Sequence, residues 1–272
     1  MKIYVKTFIK RIIGPHTRRK IYSLINKSSF SEVDIIYDAI QYDNNFLQSI
    51  MIDVGAHHGD SLEAFARAGW TVYAFEPDPK NRKYLKLLCK NYSKVKIDKR
   101  AVTDKDGESK VLYASDVSSG ITTLSPFHKT HHKISNVETV TLTKFCYDNK
   151  LDKVGFLKID TEGFDLFVLK GFPWKTIIPQ IIICEYENNK TKKLGYGYDD
   201  IIKYLMSYGY KIIVSEWYPI TEYGSVHKWR RLLFSDFDAI DPNGWGNIIA
   251  VRNKKIYEKL SEDATYYSDS FK

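Results

Sequence analysis

A chain of 272 residues with 43% hydrophobic and 27% charged content reads as a soluble globular protein, built as one large domain or a domain with appendages. The formal net charge of +8 favours acidic partners without choosing among nucleic acid, an anionic membrane, and phosphorylated or uronic-acid substrates. Three well-separated cysteines (Cys89, Cys146, Cys184) with no CxxC argue against a disulfide framework or a cysteine zinc site, and no apolar run approaches the ~20 residues that span a bilayer. A reduced, cytoplasmic setting is therefore expected.

Residues 1–27 carry many Lys and Arg and no acid. Ile3, Val5, Phe8, Ile9, Ile12 and Ile13 recur near helical spacing, which predicts a basic amphipathic helix. It either makes peripheral contact with an anionic membrane or packs on the main domain with its basic side in water. Lys6, Lys10 and Arg11 interrupt the apolar run, so the segment is a poor signal peptide. A second helix is predicted over 31–48, with Ser31 as its cap.

From residue 50 the rhythm becomes strand, turn, helix. SIMIDV predicts a buried strand, Asp60 to Ala68 a helix ended by Gly69, and TVYAFEP a strand stopped by Pro77. A helix over 79–91 leads to a strand in VKIDKRAV, and ESKVLYAS reads as an extra hairpin strand after the DKDG turn. VETVTL alternates like a strand, VGFLKID is apolar and then acidic, and a helix is expected from near Glu162. PQIIICEYE is the strongest buried strand, followed by a helix over 198–208 and strands in YKIIVSE and NIIAVR. Alternating βα units imply an α/β fold with a mostly parallel sheet and helices on both faces. The expected organisation is a basic N-terminal helical segment (1–48), a catalytic domain (49–255) and a C-terminal tail (256–272).

IDVGAHHGDS, residues 52–61, lies where the first strand meets its helix. Ligands of such sheets bind at the carboxyl ends of the strands, where strand order reverses. Gly55 permits a sharp turn, Gly59 would let backbone approach a ligand, and free N–H groups at the helix start attract negative charge. A GxGxxG dinucleotide fingerprint fails, because His57 occupies the place of its second glycine. Asp53 would repel a pyrophosphate but suits an ammonium or sulfonium group. Glu76, closing the second strand, can accept both hydroxyls of a ribose. Together these point to S-adenosylmethionine (SAM) rather than NAD. The predicted cofactor set is Asp53, Gly55, His57, Gly59, Ser61, Glu76, Pro77, Arg100, Ala101 and Asp160.

In this order, IDVGAHHGDS, AFEPDP, RAVTDKDGE, LKIDTEGFDLFVLKG and PQIIICEYE resemble the FkbM family of SAM-dependent methyltransferases, over roughly residues 50–215. The most specific piece is KIDTEGFDLFVLKG, 158–171. The resemblance implies a Rossmann-like class I methyltransferase: a mostly parallel seven-stranded sheet with helices on both faces, plus an N-terminal helical appendage. It also implies O-methylation of a hydroxyl, often on a sugar of a glycan or on a natural product. Asp165 departs from the pattern, where Glu is usual, and so do His57 and His58, where Asn and an aliphatic residue are more frequent. Residues beyond 217 match less well.

Methyl transfer from a sulfonium needs mainly orientation, because the donor is already activated. A sugar hydroxyl needs a general base, or a metal that lowers its pKa. Asp160 and Glu162 follow the VGFLKI strand at a spacing that can aim both into one cavity, as base, metal ligand or hydroxyl acceptor; Glu162 could instead cap the next helix. Glu185 and Glu187 end the PQIIICEYE strand at the same edge, with Glu185 the catalytic candidate. SSGITTLSPFHKTHHK, 118–133, offers His131 as a base near neutral pH and His128 and His132 as substrate contacts, or is simply a solvated substrate loop. A divalent metal is left open. The region 215–234 and DPNGWGN interleave Trp229, Arg230 and Trp245 with other aromatic and basic residues, as a substrate wall or as an aromatic hairpin packed on the domain.

The expected acceptor is a small molecule or glycan, of acidic character if the net charge is a guide. A ribose 2′-O RNA methyltransferase is the alternative, with Asp160 and Glu216 as half of a Lys-Asp-Lys-Glu set. Amino-group and pyrimidine C5 methylation are disfavoured: KIDTEG replaces an Asp/Asn-Pro-Pro-aromatic motif, and Pro-Cys is absent. A non-catalytic, membrane-docking protein with this fold is the remaining reading.

Overall fold

Apolar runs joined by helices pair side by side in parallel, because each helix carries the chain back across a face of the sheet. The computed structural model describes residues 30–43, 46 and 49–270; the basic segment 1–27, and the amphipathic helix expected there, lie outside them. In chain order the first elements are α1 (Glu32–Ile40), β1 (Ile50–Val54), α2 (Glu63–Arg67), β2 (Thr71–Phe75), α3 (Pro79–Cys89) and β3 (Val95–Asp98). Then follow β4 (Ala101–Val102), β5 (Ser109–Ser115), β6 (His131–Val140), α4 (Leu142–Asp148), β7 (Phe156–Ile159) and α5 (Asp165–Lys170). The last are β8 (Ile181–Glu187), α6 (Asn188–Thr191), α7 (Tyr198–Ser207), β9 (Lys211–Trp217), β10 (Trp229–Leu233), β11 (Trp245–Val251) and α8 (Lys254–Ser270).

The main sheet has the order β10-β9-β11-β8-β7-β1-β2-β3. Strands β3, β2, β1, β7 and β8 are mutually parallel; β11 inserts antiparallel between β8 and β9, and β10 turns back along β9. This is the expected Rossmann-like sheet with eight strands instead of seven, the addition being β10 at the edge. VKIDKRAV does not form one strand. It divides at Lys99 and Arg100 into β3 of the main sheet and β4 of a small sheet ordered β4-β6-β5. β6 begins at His131, so His131 and His132 open a strand and do not belong to a loop.

Both faces of the sheet are covered, which is why its strands read as nearly continuous apolar runs. Ile52, Val54, Leu157, Ile159 and Ile182 face one apolar cluster, against α4, α5 and α7. Met51, Val72, Phe156, Ile181 and Ile183 face the other, with α1, α2, α3 and α8. Ser31 caps α1, accepting the Asp34 N–H at 3.3 Å. Glu32, buried beneath that cap, accepts from Ser215 Oγ at 2.7 Å and from Trp217 Nε1 at 2.8 Å, tying α1 to β9. Ile256, Leu260 and Ala264 of α8 are buried, the first two in the same cluster as α1, so the segment set off as a tail packs on the domain. Among the described residues no helix is long and apolar enough to cross a membrane.

Candidate active site

Chain order reverses between β1 and β7: the chain moves outward through β2 and β3, then returns to the other side of β1. The loops after these two strands touch. A Cβ on Gly55 would stand 1.8 Å from the Asp160 carbonyl oxygen, and Gly55 takes φ +79°, so both contact and backbone require glycine. At this edge lies a cavity of about 310 Å³, lined among others by Gly55, Glu76, Asp160 and Glu185. Glu76 ends β2 and Glu185 lies near the end of β8, three strands away, so the cavity runs about 14 Å along the sheet edge at ~4.8 Å per strand.

On the β2 side, Glu76 is fixed by the backbone around it. Its Oε2 accepts the His57 N–H at 2.7 Å and its Oε1 the Asp78 N–H at 2.8 Å. Burial pushes its pKa up to about 7, against the pull of those two amides. His57 holds φ +48°, its ring stacks on His58 at 3.7 Å, and its Nε2 meets Ser119 Oγ at 2.9 Å. Asn81 Nδ2 donates to the Ser119 carbonyl at 3.0 Å and Thr122 Oγ1 to Asp78 at 3.2 Å. The turn at Ser119–Ile121 is thereby fastened over the first βα loop. Pro77, Ala101, Leu112 and Ile121 supply apolar lining, and Arg100 lies alongside, bound through Nε and Nη2 to Asp98.

Between the halves sits Lys158, nearly buried. Its Nζ donates to the Gly55 carbonyl at 3.0 Å and lies 3.1 Å from Asp53 and 3.5 Å from Asp160. Burial opposes its charge, but Asp53 and Asp160 outweigh that and hold its pKa above normal.

On the β8 side three carboxylates converge: oxygens of Asp160, Glu162 and Glu185 lie within 4.8 Å of one another. The buried Lys190 ammonium lies 2.6 Å from Glu162, 3.0 Å from Glu185 and 2.9 Å from Glu187. Burial pushes Glu162 up to about 8 despite Lys190, and raises Glu185 well above the carboxylate range, with Glu162 adding to the effect. Lys190 stays charged, because the three glutamates outweigh the penalty of its burial. Glu162 adopts φ +57° and its carbonyl accepts Thr123 Oγ1 at 2.9 Å, while Tyr196 OH donates to the Gly163 carbonyl at 2.7 Å. The helix predicted to start near Glu162 begins at Asp165 instead, since the left-handed backbone at Glu162 and Gly163 precedes it. Asp165 accepts the Glu185 N–H at 3.1 Å and Thr161 Oγ1 at 2.8 Å, bracing the acidic loop against β8. Trp245, Tyr223 and His227 are among the aromatic residues of this lining.

Residues 53–212, more than half of the chain, match the family described as the Methyltransferase FkbM domain. The chain belongs to the FkbM methyltransferase family. It is thus a SAM-dependent methyltransferase. Among solved structures it resembles precorrin-6y C5,15-methyltransferase from Geobacter metallireducens GS-15, at 10% identity over 84% of this chain and 95% of that one, with a TM-score of 0.41. Precorrin 8w decarboxylase from Methanobacterium thermoautotrophicum gives 12% identity over 82% and 92%, at 0.44. A putative RNA methyltransferase from Pyrococcus horikoshii gives 9% over 81% and 82%, at 0.42. No curated protein matches the chain.

The residues of this FkbM methyltransferase fit a SAM molecule on the β2 side. Glu76 lines the cavity with its carboxylate held by two amides, suited to a ribose diol, and Pro77, Ala101 and Leu112 offer an apolar seat. Of the predicted cofactor set, Gly55, His57, Glu76, Pro77, Arg100, Ala101 and Asp160 line the cavity. Asp53, Gly59 and Ser61 do not. Asp53 is fully buried, accepting Ser61 Oγ at 2.6 Å and facing Lys158, and so braces the loop from behind the lining. A Cβ on Gly59 would lie 2.6 Å from Leu88 and 2.8 Å from Leu85, so this glycine makes room for the packing of α3.

Of the catalytic candidates, Asp160, Glu162 and Glu185 meet in the cavity and His131 does not. His131 Nδ1 accepts the His128 N–H at 3.0 Å and Nε2 faces the Ile121 carbonyl at 2.8 Å, an arrangement that leaves no nitrogen lone pair for a substrate. His128 is engaged with Thr130 at 2.7 Å, and His132 lies 3.9 Å from Asp116, outside the cavity lining. Of the substrate candidates, Trp245 lines the cavity. Trp229 is buried behind it, stacked on Phe30 at 4.3 Å and donating to Ser215 Oγ at 3.0 Å. Arg230 pairs with Asp241 at 3.3 Å. Glu216 is fully buried against Arg231 at 2.6 Å and the Asp241 N–H at 2.7 Å, so it does not join Asp160 in the cavity. Lys158 and Lys190 were not singled out in the sequence. Lys190 sits in the short NNKT helix, where nothing local distinguishes it from a surface lysine.

Proposed function

We propose that this methyltransferase acts on a hydroxyl, most readily a sugar hydroxyl of a glycan or glycosylated natural product. The observation that carries the reading is the convergence of Asp160, Glu162 and Glu185 within 4.8 Å of one another, in the same cavity as the Glu76 seat. Bound SAM supplies an electrophilic methyl group. The chain's own residues do the rest. Glu162 takes the proton of the acceptor hydroxyl, since its raised pKa makes it a stronger base than an ordinary carboxylate and places it near neutral pH. Asp160 and Glu185 form hydrogen bonds that orient the acceptor. Trp245 and Tyr223 give the ring an apolar wall and keep water from it.

The Lys190 ammonium already bridges Glu162 and Glu185, which supports chemistry without a divalent metal. Tritium transfer from labelled SAM over a panel of sugar nucleotides, glycans and RNA tests the reading. Labelled sugar hydroxyls, at a rate unchanged by EDTA, support it. Labelling of RNA alone contradicts it, and loss of activity in EDTA contradicts the metal-free chemistry. The three cysteines are free and buried, which suits a reducing compartment, and we propose a cytoplasmic protein with residues 1–27 in peripheral contact with anionic membrane.

A further inference from the structure

The charge of the whole chain and the charge of its cavity point in opposite directions. The chain carries +8, yet three carboxylates line the β8 side of the cavity and a fourth, Glu187, stands behind Lys190. Among the described residues, every lysine and arginine that reaches the lining is already committed. Lys190 is shared among three glutamates, and Arg100 is held by both oxygens of Asp98. Lys158, behind the lining, is taken up by Asp53, Asp160 and the Gly55 carbonyl. The histidines of the lining, His57 and His227, are pushed towards the neutral form by burial. A phosphate or carboxylate entering here would lose its water, meet no free cation among the described residues and stand at short range from the carboxyl groups.

The polar groups available suit the opposite kind of ligand. An ionised carboxylate accepts from hydroxyl and ammonium groups, and where burial keeps Glu162 or Glu185 protonated the carboxyl also donates its O–H to a hydroxyl. Trp245 offers a ring face and a buried Nε1–H that has no acceptor among the described residues. Its ring is set by Trp217 at 5.3 Å and His227 at 5.2 Å. Tyr223 OH is tied to Glu187 at 2.8 Å, which fixes its ring against the same space.

We infer that the acceptor is an uncharged or ammonium-bearing sugar, packed against Trp245 and hydrogen-bonded to Asp160 and Glu185, and that sugars bearing phosphate or carboxylate groups are rejected. This rests on the sugar-hydroxyl reading above and names the class within it. It also removes the acidic acceptor that net charge alone suggests, and leaves the positive charge to surfaces away from the reaction.

The test is titration of the full chain, loaded with S-adenosylhomocysteine, with three oligosaccharide series matched in length: cello-oligosaccharides, chitosan oligosaccharides and oligogalacturonates. Tryptophan fluorescence and calorimetry report binding, and methyl transfer from SAM is followed in parallel. Binding of the neutral or amino series at least about tenfold tighter than the uronate series is expected. Trp245→Ala should weaken that binding at least about tenfold while S-adenosylhomocysteine still binds, which shows the variant folded. Equal or tighter uronate binding, or binding of none of the three, overturns the inference. Methyl transfer to a uronate would overturn it while leaving the sugar-hydroxyl reading intact. Failure of S-adenosylhomocysteine to bind the wild-type chain would strike the cofactor site first.

Discussion

Lys190 touches three glutamates at once, so removing it leaves more uncompensated buried charge than removing any one of them. Lys190→Met should destabilise the fold by about 3–5 kcal/mol, the range found when one partner of a buried ion pair is lost. The loss should deepen with pH. Without the ammonium, the buried glutamates hold protons that the unfolded chain has already released near pH 4.5, so stability falls as pH rises above that value. Thermal melts of the variant between pH 5 and 8 check this; a melting temperature that does not change with pH would show that the carboxylates are solvated.

Glu162→Gln should lower kcat by about 10²–10⁴ and leave the affinity for S-adenosylhomocysteine unchanged, since Glu162 acts on the acceptor's proton. Wild-type activity should rise with pH as Glu162 loses its proton around pH 8. If Glu162→Gln keeps both the rate and this pH profile, the base lies elsewhere.

Glu76 gives a second titration of the same sign. Its pKa is about 7 folded against an ordinary 4.5, so its share of stability is present in full below about pH 4.5 and is lost as pH rises to 7. Two and a half pKa units correspond to about 3 kcal/mol. Glu76→Gln should flatten this part of the stability curve, measured by urea unfolding at pH 5 and pH 7.5; an unaltered slope would assign it to other groups.

At the scale of elements, the two glycines of the first loop separate by what they approach. Gly55→Ala would force a Cβ into backbone at 1.8 Å, with no side chain to yield, and should disrupt both the fold and the cofactor loop. Gly59→Ala meets only the ends of Leu85 and Leu88, at 2.8 and 2.6 Å, on a backbone at φ +92°. It should cost about 1–3 kcal/mol of stability with little change in cofactor affinity, because its neighbours are core side chains. Calorimetry on the soluble variant decides: a large loss of affinity without loss of stability would restore Gly59 to the ligand.

The same distinction explains what could be read in the sequence. PQIIICEYE and SIMIDV are legible as strands because both of their faces are buried, which leaves an unbroken apolar signal. Asp160, Glu162 and Glu185 are legible as a set because acids following such strands must emerge at the carboxyl edge. Asp53 stands in the same pattern, but lies outside the cavity lining, engaged with Lys158 and Ser61. His131 misleads because its local sequence resembles a loop, while its β6 pairing with β5 fastens the ring to backbone. Trp229 and Trp245 read alike in sequence. Only the antiparallel placement of β10 and β11 sends the first into the core beside Phe30 and the second to the cavity.

At the scale of the molecule, one edge of the sheet brings together two halves that are distant in sequence. Glu76 and Pro77 come from the β2 end, Glu185 and Lys190 from the β8 end, and the crossing of Gly55 under Asp160 joins them. α1 and α8 pack on one face of this sheet. The central claim is that this edge holds SAM on its β2 side, with Glu76, and uses the carboxylates of its β8 side only on the acceptor. Calorimetric titration with S-adenosylhomocysteine of the wild type, Glu76→Ala and Asp160→Asn tests it most directly. The account predicts one site on the wild type, affinity lowered at least about tenfold in Glu76→Ala, and affinity in Asp160→Asn within about threefold of wild type although methyl transfer is lost. No binding to the wild type, or equal binding to Glu76→Ala, would contradict it.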